Sequence, residues 1–214
     1  MREREVTVLA GGKISSERVT VKAAFEASAA NLLRANNDEY LDRIAEAVDL
    51  LCRTFEAGRK LLVYGNGGSS ADAQHICGEL VGRFLRERRG LPAIALASNQ
   101  ALITAWGNDY SFETIFERQV QAYGQPGDVV WGISTSGNSA NVILGHRMAR
   151  EVGLKTIGLT GCGGGELGPY CDVLLSAPAK ETPRIQEIHL VTYHAICEAV
   201  EARMFGECTE SAAG

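Results

Sequence analysis

Five short apolar runs, separated by stretches with helical spacing, restrict this chain more than any other feature. They lie near Lys60–Tyr64, Pro92–Ala97, Asp128–Ile133, Lys155–Thr160 and Asp172–Ser176. Runs of this length suit strands, and their continuous apolar character means burial on both faces. Strands of that kind alternating with helices predict an α/β chain with a five-stranded parallel sheet flanked by helices. Ahead of the sheet, Ala23 to Phe55 repeats apolar residues at helical spacing and is interrupted at Asn36-Asn37-Asp38, which predicts two helices joined at a cap. A last helix is expected from Pro183 to Met204, with Thr182 as N-cap and Pro183 at the first helical position. Residues 1–22 then read as an N-terminal tail, 23–208 as one domain that includes the N-terminal helices, and 209–214 as a C-terminal tail.

Two polar loops follow strands. Leu61 to Tyr64 stops at Gly65-Asn66-Gly67-Gly68, and Ser69 and Ser70 are suited to cap the next helix. A glycine-rich turn before a helix lets backbone N–H groups approach an anion closely, with the helix dipole adding attraction. The third run opens into Ser134-Thr135-Ser136-Gly137-Asn138-Ser139, whose hydroxyl and backbone donors can surround a phosphate. The Gly-Lys-Ser/Thr of a nucleotide P-loop is missing there, so a phosphorylated small molecule is expected. Ligands of such sheets bind beyond the carboxyl ends of the strands, where both loops fall. Gly161 to Gly165 reads as a plain turn.

Chemistry requires titratable groups beside these loops. His75 and Glu79 are four residues apart on the helix after the glycine turn, so their side chains leave one face. That spacing also suits an ordinary surface ion pair. Gln186 and His194 form a second pair on the last helix. Eight residues is about 12 Å of rise and about 80° of rotation, so the two reach one ion only by leaning together, or different subunits complete each site. His189 is expected to make an interhelical contact, and His146 to be peripheral. Arg83 to Arg89 holds four arginines and reads as a solvated helix end, with a subunit or sugar-phosphate contact as the alternative.

The formal net charge of −5 and pI near 5.5 argue against nucleic acid as a partner. No run has signal-peptide or bilayer-spanning character, so a cytoplasmic protein without membrane contact is expected. The six cysteines show no C-x-x-C pairing and read as small buried hydrophobes, with Cys77 on a different helix face from His75.

Four stretches together resemble the sugar isomerase (SIS) domain proteins, and within them the phosphoheptose isomerases. They are GNGGSSADAQH with Glu79, WGNDY at Trp106–Tyr110, STSGNS at Ser134–Ser139 and RIQEIHLVTYH at Arg184–His194. The match runs from about Phe25 to Phe205 and leaves out the first twenty or so residues. The resemblance implies the flavodoxin-like SIS fold. It also implies an aldose–ketose isomerase that converts sedoheptulose 7-phosphate to D-glycero-D-manno-heptose 7-phosphate through an enediol, in a homotetramer. By the same resemblance His75, Glu79, Gln186 and His194 hold one Zn2+ per subunit, and Glu79 and His194 are the acid/base residues. Asn66, Gly67, Gly68, Glu79, Asn108, Asp109, Ser134, Thr135, Ser136, Ser139 and Gln186 are implied substrate contacts. Thr182-Pro183 stands where some members carry an acidic residue. The alternative is a non-catalytic SIS sugar-phosphate binder, or a partner protein like the DnaA initiator-associating protein, which needs the serine loop but no acid/base residues. A third reading, an isomerase of another sugar phosphate, shares the chemistry and differs in pocket length.

Overall fold

The computed structural model describes residues 15–206. The tail expected at 209–214, Cys208 and the first fourteen residues lie outside the described residues. Helix α1 (Ser16–Ala35) starts ahead of residue 23, with the Ser15 hydroxyl accepting from the Arg18 amide at 3.3 Å. It breaks at Asn36, and Asn37 caps α2 (Asp38–Glu56) through its side-chain oxygen and the Tyr40 amide. The polar Asn-Asn-Asp sequence thus ends one helix and starts the next.

The five strands are β1 (Leu61–Gly65), β2 (Ala93–Ala95), β3 (Val129–Ser134), β4 (Lys155–Thr160) and β5 (Val173–Ser176), all parallel in the order β2-β1-β3-β4-β5. Edge strand β2 is shorter than the apolar run from Pro92 to Ala97, because a proline supplies no amide to the ladder and the chain bends away after Ala95. Helix α3 (Gly68–Val81) follows β1, α4 (Gln100–Asp109) and α5 (Ile115–Tyr123) follow β2, α6 (Ala140–Val152) follows β3, and α7 (Thr182–Phe205) closes the fold. The α7 N-cap is Glu181, one residue before the expected Thr182, within the ordinary ambiguity of helix ends.

Alternate strand residues feed two cores. Leu61, Val63, Trp131, Ile157 and Leu159 pack with residues of α2, α3 and α7, whereas Leu62, Tyr64 and Val130 pack with residues of α5 and α6. A period of two divided between two apolar layers explains why the strand sequences are continuously apolar.

Two histidines belong to this framework. His146 is fully buried, with Nδ1 2.8 Å from the Tyr64 hydroxyl and Nε2 3.1 Å from the Ile157 carbonyl oxygen. His189 is fully buried with Nε2 3.0 Å from the Thr160 carbonyl oxygen, so its contact is with a strand rather than with another helix. Burial pushes both down to about 4.

Unfolded histidines bind a proton near pH 6.5, and the native ones resist it until about pH 4. Their contribution to stability is therefore complete above pH 6.5 and is lost as pH falls toward 4, at about 3 kcal/mol per histidine over the whole interval. We expect the urea midpoint to drop between pH 7 and pH 5, ahead of carboxylate protonation, and the loss to shrink in His146→Gln. A midpoint flat across that window would contradict this account.

Candidate active site

The order of the strands reverses between β1 and β3, and the glycine and serine loops leave these two neighbours at the same level. Gly65 pairs with Ile133, and Ser134 follows at once. Two loops side by side at such a switch point form the crevice in which open α/β sheets bind ligands. A reciprocal amide pair joins them: Asn66 Nδ2 donates to Asn141 Oδ1 at 2.8 Å, and Asn141 Nδ2 donates to Asn66 Oδ1 at 2.9 Å.

Helix α3 starts at Gly68 with Gly67 as N-cap, so Ser69 and Ser70 lie inside its first turn and make no cap hydrogen bond. The chain needs φ +55° at Gly67 to turn into the helix, and glycine adopts that conformation without penalty. The Ser69 and Ser70 amides donate to the Asn66 and Gly67 carbonyls at 3.0 Å, so serine hydroxyls are not required to start the helix.

The serine loop is tied within itself and to its neighbour. Ser134 Oγ donates to Ser139 Oγ at 3.0 Å, the Asn138 amide donates to Ser136 Oγ at 3.1 Å, and the Gly137 amide donates to the Ser134 carbonyl at 2.9 Å. Gly161 to Gly165 does more than turn the chain. The Gly161 amide donates to the Thr135 carbonyl at 3.0 Å, the Glu166 amide to Asn138 Oδ1 at 2.9 Å, and the Leu167 amide to the Gly137 carbonyl at 2.9 Å. Gly137 and Gly164 pack backbone to backbone, leaving no room for a Cβ on Gly137. The glycine segment is a buttress that holds the serine loop in shape.

His75, Glu79 and His194 meet where α3 packs on α7. His75 Nε2 is 2.9 Å from Glu79 Oε1 and 3.4 Å from His194 Nε2, and the ligand atoms of all three lie within 4.8 Å of one another. Bonds of about 2.0–2.1 Å at tetrahedral angles put ligand atoms about 3.3 Å apart, so the two shorter separations suit a divalent metal. A nitrogen and oxygen donor set with a single negative charge is appropriate chemistry for such an ion. Gln186 holds its side-chain amide against Gly68, where the glycine loop enters α3.

Asn108 and Asp109 occupy the exposed last turn of α4, where Asn108 Nδ2 donates to Asp109 Oδ1 at 2.9 Å. Among the described residues neither bonds to the three-residue cluster or to the serine loop. Cys77, with its thiol pushed up to about 12 by burial, takes no part.

Several residues around the cluster escaped the sequence reading. The phenol of buried Tyr193 lies 3.0 Å from His75 Nδ1 and 3.4 Å from Asp72 Oδ1. Burial raises the Asp72 carboxyl, and burial together with the Asp72 charge raises the Tyr193 phenol. Asp72 stands three positions before His75, and Tyr193 immediately precedes His194. Helical spacing from His75 signals Asp72, whereas Tyr193, adjacent to His194 and so on another face of α7, carries no such signal.

The arginine-rich segment is also different from expectation. Helix α3 ends at Val81, so Arg83 to Arg89 is an irregular connection rather than a helix end. Arg83 is solvated, but Arg88 is buried and pairs with buried Glu201 of α7 at 2.8 Å. Arg88 further donates to the Glu79 carbonyl at 2.7 Å and the Leu80 carbonyl at 2.7 Å, satisfying the C-terminal end of α3. Burial would raise the Glu201 carboxyl, yet the Phe84 and Leu85 amides and Arg88 together hold it below the ordinary carboxylate range. The same bonds set the Phe84 ring 5.6 Å from the His194 ring.

Comparisons with known proteins agree with this fold. The SIS domain family model matches residues 24–161. The phosphoheptose isomerase of Crocosphaera subtropica is 56% identical over 176 residues, covering 82% of this chain and 90% of that protein. The solved phosphoheptose isomerase of Neisseria gonorrhoeae superposes with a TM-score of 0.81 at 39% identity, over 86% of this chain and 99% of that one. That of Francisella tularensis gives 0.83 at 36% identity, over 87% and 98%.

Arg88→Met leaves a buried carboxylate without its cation, and we expect a loss of about 3–5 kcal/mol in urea unfolding. Restoring most of that loss with Glu201→Leu in the Arg88→Met background would separate pairing from mere packing. An Arg88→Met protein as stable as the parent would show the pair to be energetically idle.

Proposed function

The chain belongs to the phosphoheptose isomerases of the SIS domain family, and we propose that it interconverts sedoheptulose 7-phosphate and D-glycero-D-manno-heptose 7-phosphate. The observation that carries this reading is the convergence of His75, Glu79 and His194 at one point of the α3–α7 contact. A sugar-phosphate binder needs the two loops; only an isomerase needs proton-transfer groups as well.

The substrate phosphate is assigned to the serine loop, with Ser134, Thr135, Ser136 and Ser139 as donors, and the sugar chain to Asn66, Gly67 and Gly68. Converting the ketose to the aldose takes a proton from C1 and returns one to C2, while a second proton passes between O2 and O1. Glu79 is assigned the carbon-to-carbon transfer and His194 the transfer between oxygens, through an enediol. A zinc ion bound by His75, Glu79 and His194, with Gln186 as a fourth ligand, would polarise the carbonyl and stabilise developing oxyanion charge. Gln186 is also assigned to the substrate, because its amide adjoins the glycine loop.

A tetramer is the assembly we favour. Helix α4 has no buried residue, and Tyr110, Phe112, Phe25 and Leu33 are exposed. Apolar surface of that extent favours cover by further copies of the chain. Asn108 and Asp109, free of the cluster in their own chain, would then enter a neighbour's crevice. We assign the protein to the cytoplasm; no helix among the described residues is long and apolar enough to cross a membrane.

Purified protein incubated with sedoheptulose 7-phosphate should give the aldose by NMR. Glu79→Gln should lower turnover about 10²–10⁴-fold with the fold intact, while Ser134, Ser136 and Ser139 changed together to Ala should act chiefly on KM. Turnover of Glu79→Gln within about tenfold of the parent removes Glu79 as the base. A protein that binds the ketose without converting it is a non-catalytic sugar-phosphate binder.

Assembly has its own test. Glu79 and His194 meet within one chain, so Glu79→Gln and His194→Ala proteins dissociated and reassociated together should stay inactive. Glu79→Gln mixed with Asp109→Ala should instead regain activity, since mixed sites can combine both parental groups. No recovery in the second mixture, or an active monomer, refutes the shared site.

A further inference from the structure

The geometry points to a hydrogen-bond relay, Asp72–Tyr193–His75, that holds His75 through its Nδ1–H and so presents Nε2 to the Glu79–His194 cluster. This rests on the metal-binding reading above. Neither Asp72 nor Tyr193 belongs to the residues assigned to metal, substrate or proton transfer.

The direction of the relay follows from donor accounting. A carboxylate only accepts, and the Tyr193 hydroxyl is the side-chain donor within reach of Asp72 Oδ1, at 3.4 Å. Asp72 Oδ2 is buried with no hydrogen-bond partner. Were the phenol to give its proton to His75, both Asp72 oxygens would be left without a donor, the more expensive arrangement. The Tyr193 proton therefore goes to Asp72, and the phenol oxygen accepts from His75 Nδ1–H across 3.0 Å. With Nδ1–H held by the phenol, Nε2, 2.9 Å from Glu79 Oε1 and 3.4 Å from His194 Nε2, is the nitrogen left to serve a metal, and Glu79 turns from its hydrogen-bond acceptor into its co-ligand when an ion enters. Consecutive residues of α7 thus address the two nitrogens of one ring, Tyr193 from one side and His194 from the other. Asp72 and Tyr193 are positioning residues, since both act through His75. An outer-shell partner of this kind orients a metal-binding histidine and raises its basicity.

The relay makes a prediction that loss of packing would not. Tyr193→Phe removes only the hydroxyl and frees the tautomer. Asp72→Ala keeps the hydroxyl but removes its acceptor, so the phenol now donates to Nδ1 and drives the proton to Nε2. Nitrogen-15 NMR of histidine-labelled, metal-free protein should show His75 Nδ1 protonated in the parent, partly so in Tyr193→Phe and bare in Asp72→Ala, with Nε2 sharing a proton with Glu79. Competition for Zn2+ against a chromogenic chelator should show about 10–100-fold weaker binding in the single variants, with Asp72→Ala the weaker. Adding Tyr193→Phe to Asp72→Ala should then recover part of the affinity, because the misdirected donor is gone. Circular dichroism identifies any variant that fails to fold, and the conservative Asp72→Asn, which keeps an acceptor oxygen, should fall between parent and Asp72→Ala. Unchanged tautomers, single variants that bind zinc as the parent does, or a double variant weaker than both singles would overturn the relay. A parent protein that takes up no Zn2+ overturns the metal reading instead, and the tautomer measurement still judges the relay.

Discussion

The parallel pairing of β1 with β3 is the constraint on which the rest depends. Its register sets Gly65 against Ile133, so the glycine turn and the serine loop open at one height. A slip of one residue would exchange the two faces of β1, sending Leu61 and Val63 toward α5 and α6 and Leu62 and Tyr64 toward α7. Tyr64 holds His146 beneath the sheet, and Val63 belongs to the layer on which α3 and α7 rest. The apolar layers therefore enforce the register, and the register brings the polar loops together. Above it the Asn66–Asn141 pair repeats the same alignment in side-chain hydrogen bonds.

Much of this was legible in the residues themselves. Continuous apolar runs gave the strands, because burial on both faces leaves no polar alternation to obscure them. Asn37 marked the start of α2, since a capping side chain works through local geometry alone. His75 and Glu79 could be paired by helical spacing for the same reason. What remained hidden depends on contacts between elements distant in sequence. Arg88 looks like any solvated arginine until α7 brings Glu201 to it. Gly161 to Gly165 looks like a turn until the serine loop is laid against it. Gln186 could be put on the same helix as His194, but only the packing of α7 along α3 shows that its amide reaches Gly68.

Rigidity is unequally distributed around the crevice. The β1 and β3 loops are bonded to each other and to the glycine buttress, and α3 is secured at its C-terminal end by Arg88. By contrast α4 has no fully buried residue and is held through half-buried Ile103 and Trp106, which lean on the α5–α6 layer, with Trp106 Nε1 donating to Thr114 Oγ1 at 2.9 Å. The two loops are thus braced by backbone hydrogen bonds, while Asn108 and Asp109 sit on the exposed end of a helix anchored by a few side chains.

Helix α7 has a further significance during synthesis. It is made after all five strands, yet Ile185, Ile188, Tyr193, Ile196, Cys197 and Val200 form one wall of the larger apolar layer. Until α7 docks, Val63, Trp131 and Leu159 have only α2 and α3 to cover them on that side. The nascent protein therefore passes through a stage with a nearly complete sheet and a partly covered apolar face, where chaperone capture and aggregation compete with docking of the helix. The segment that ends this exposure is the one that delivers His194. Maturation of the fold and the appearance of the reactive cluster are consequently the same late step on the ribosome's timetable.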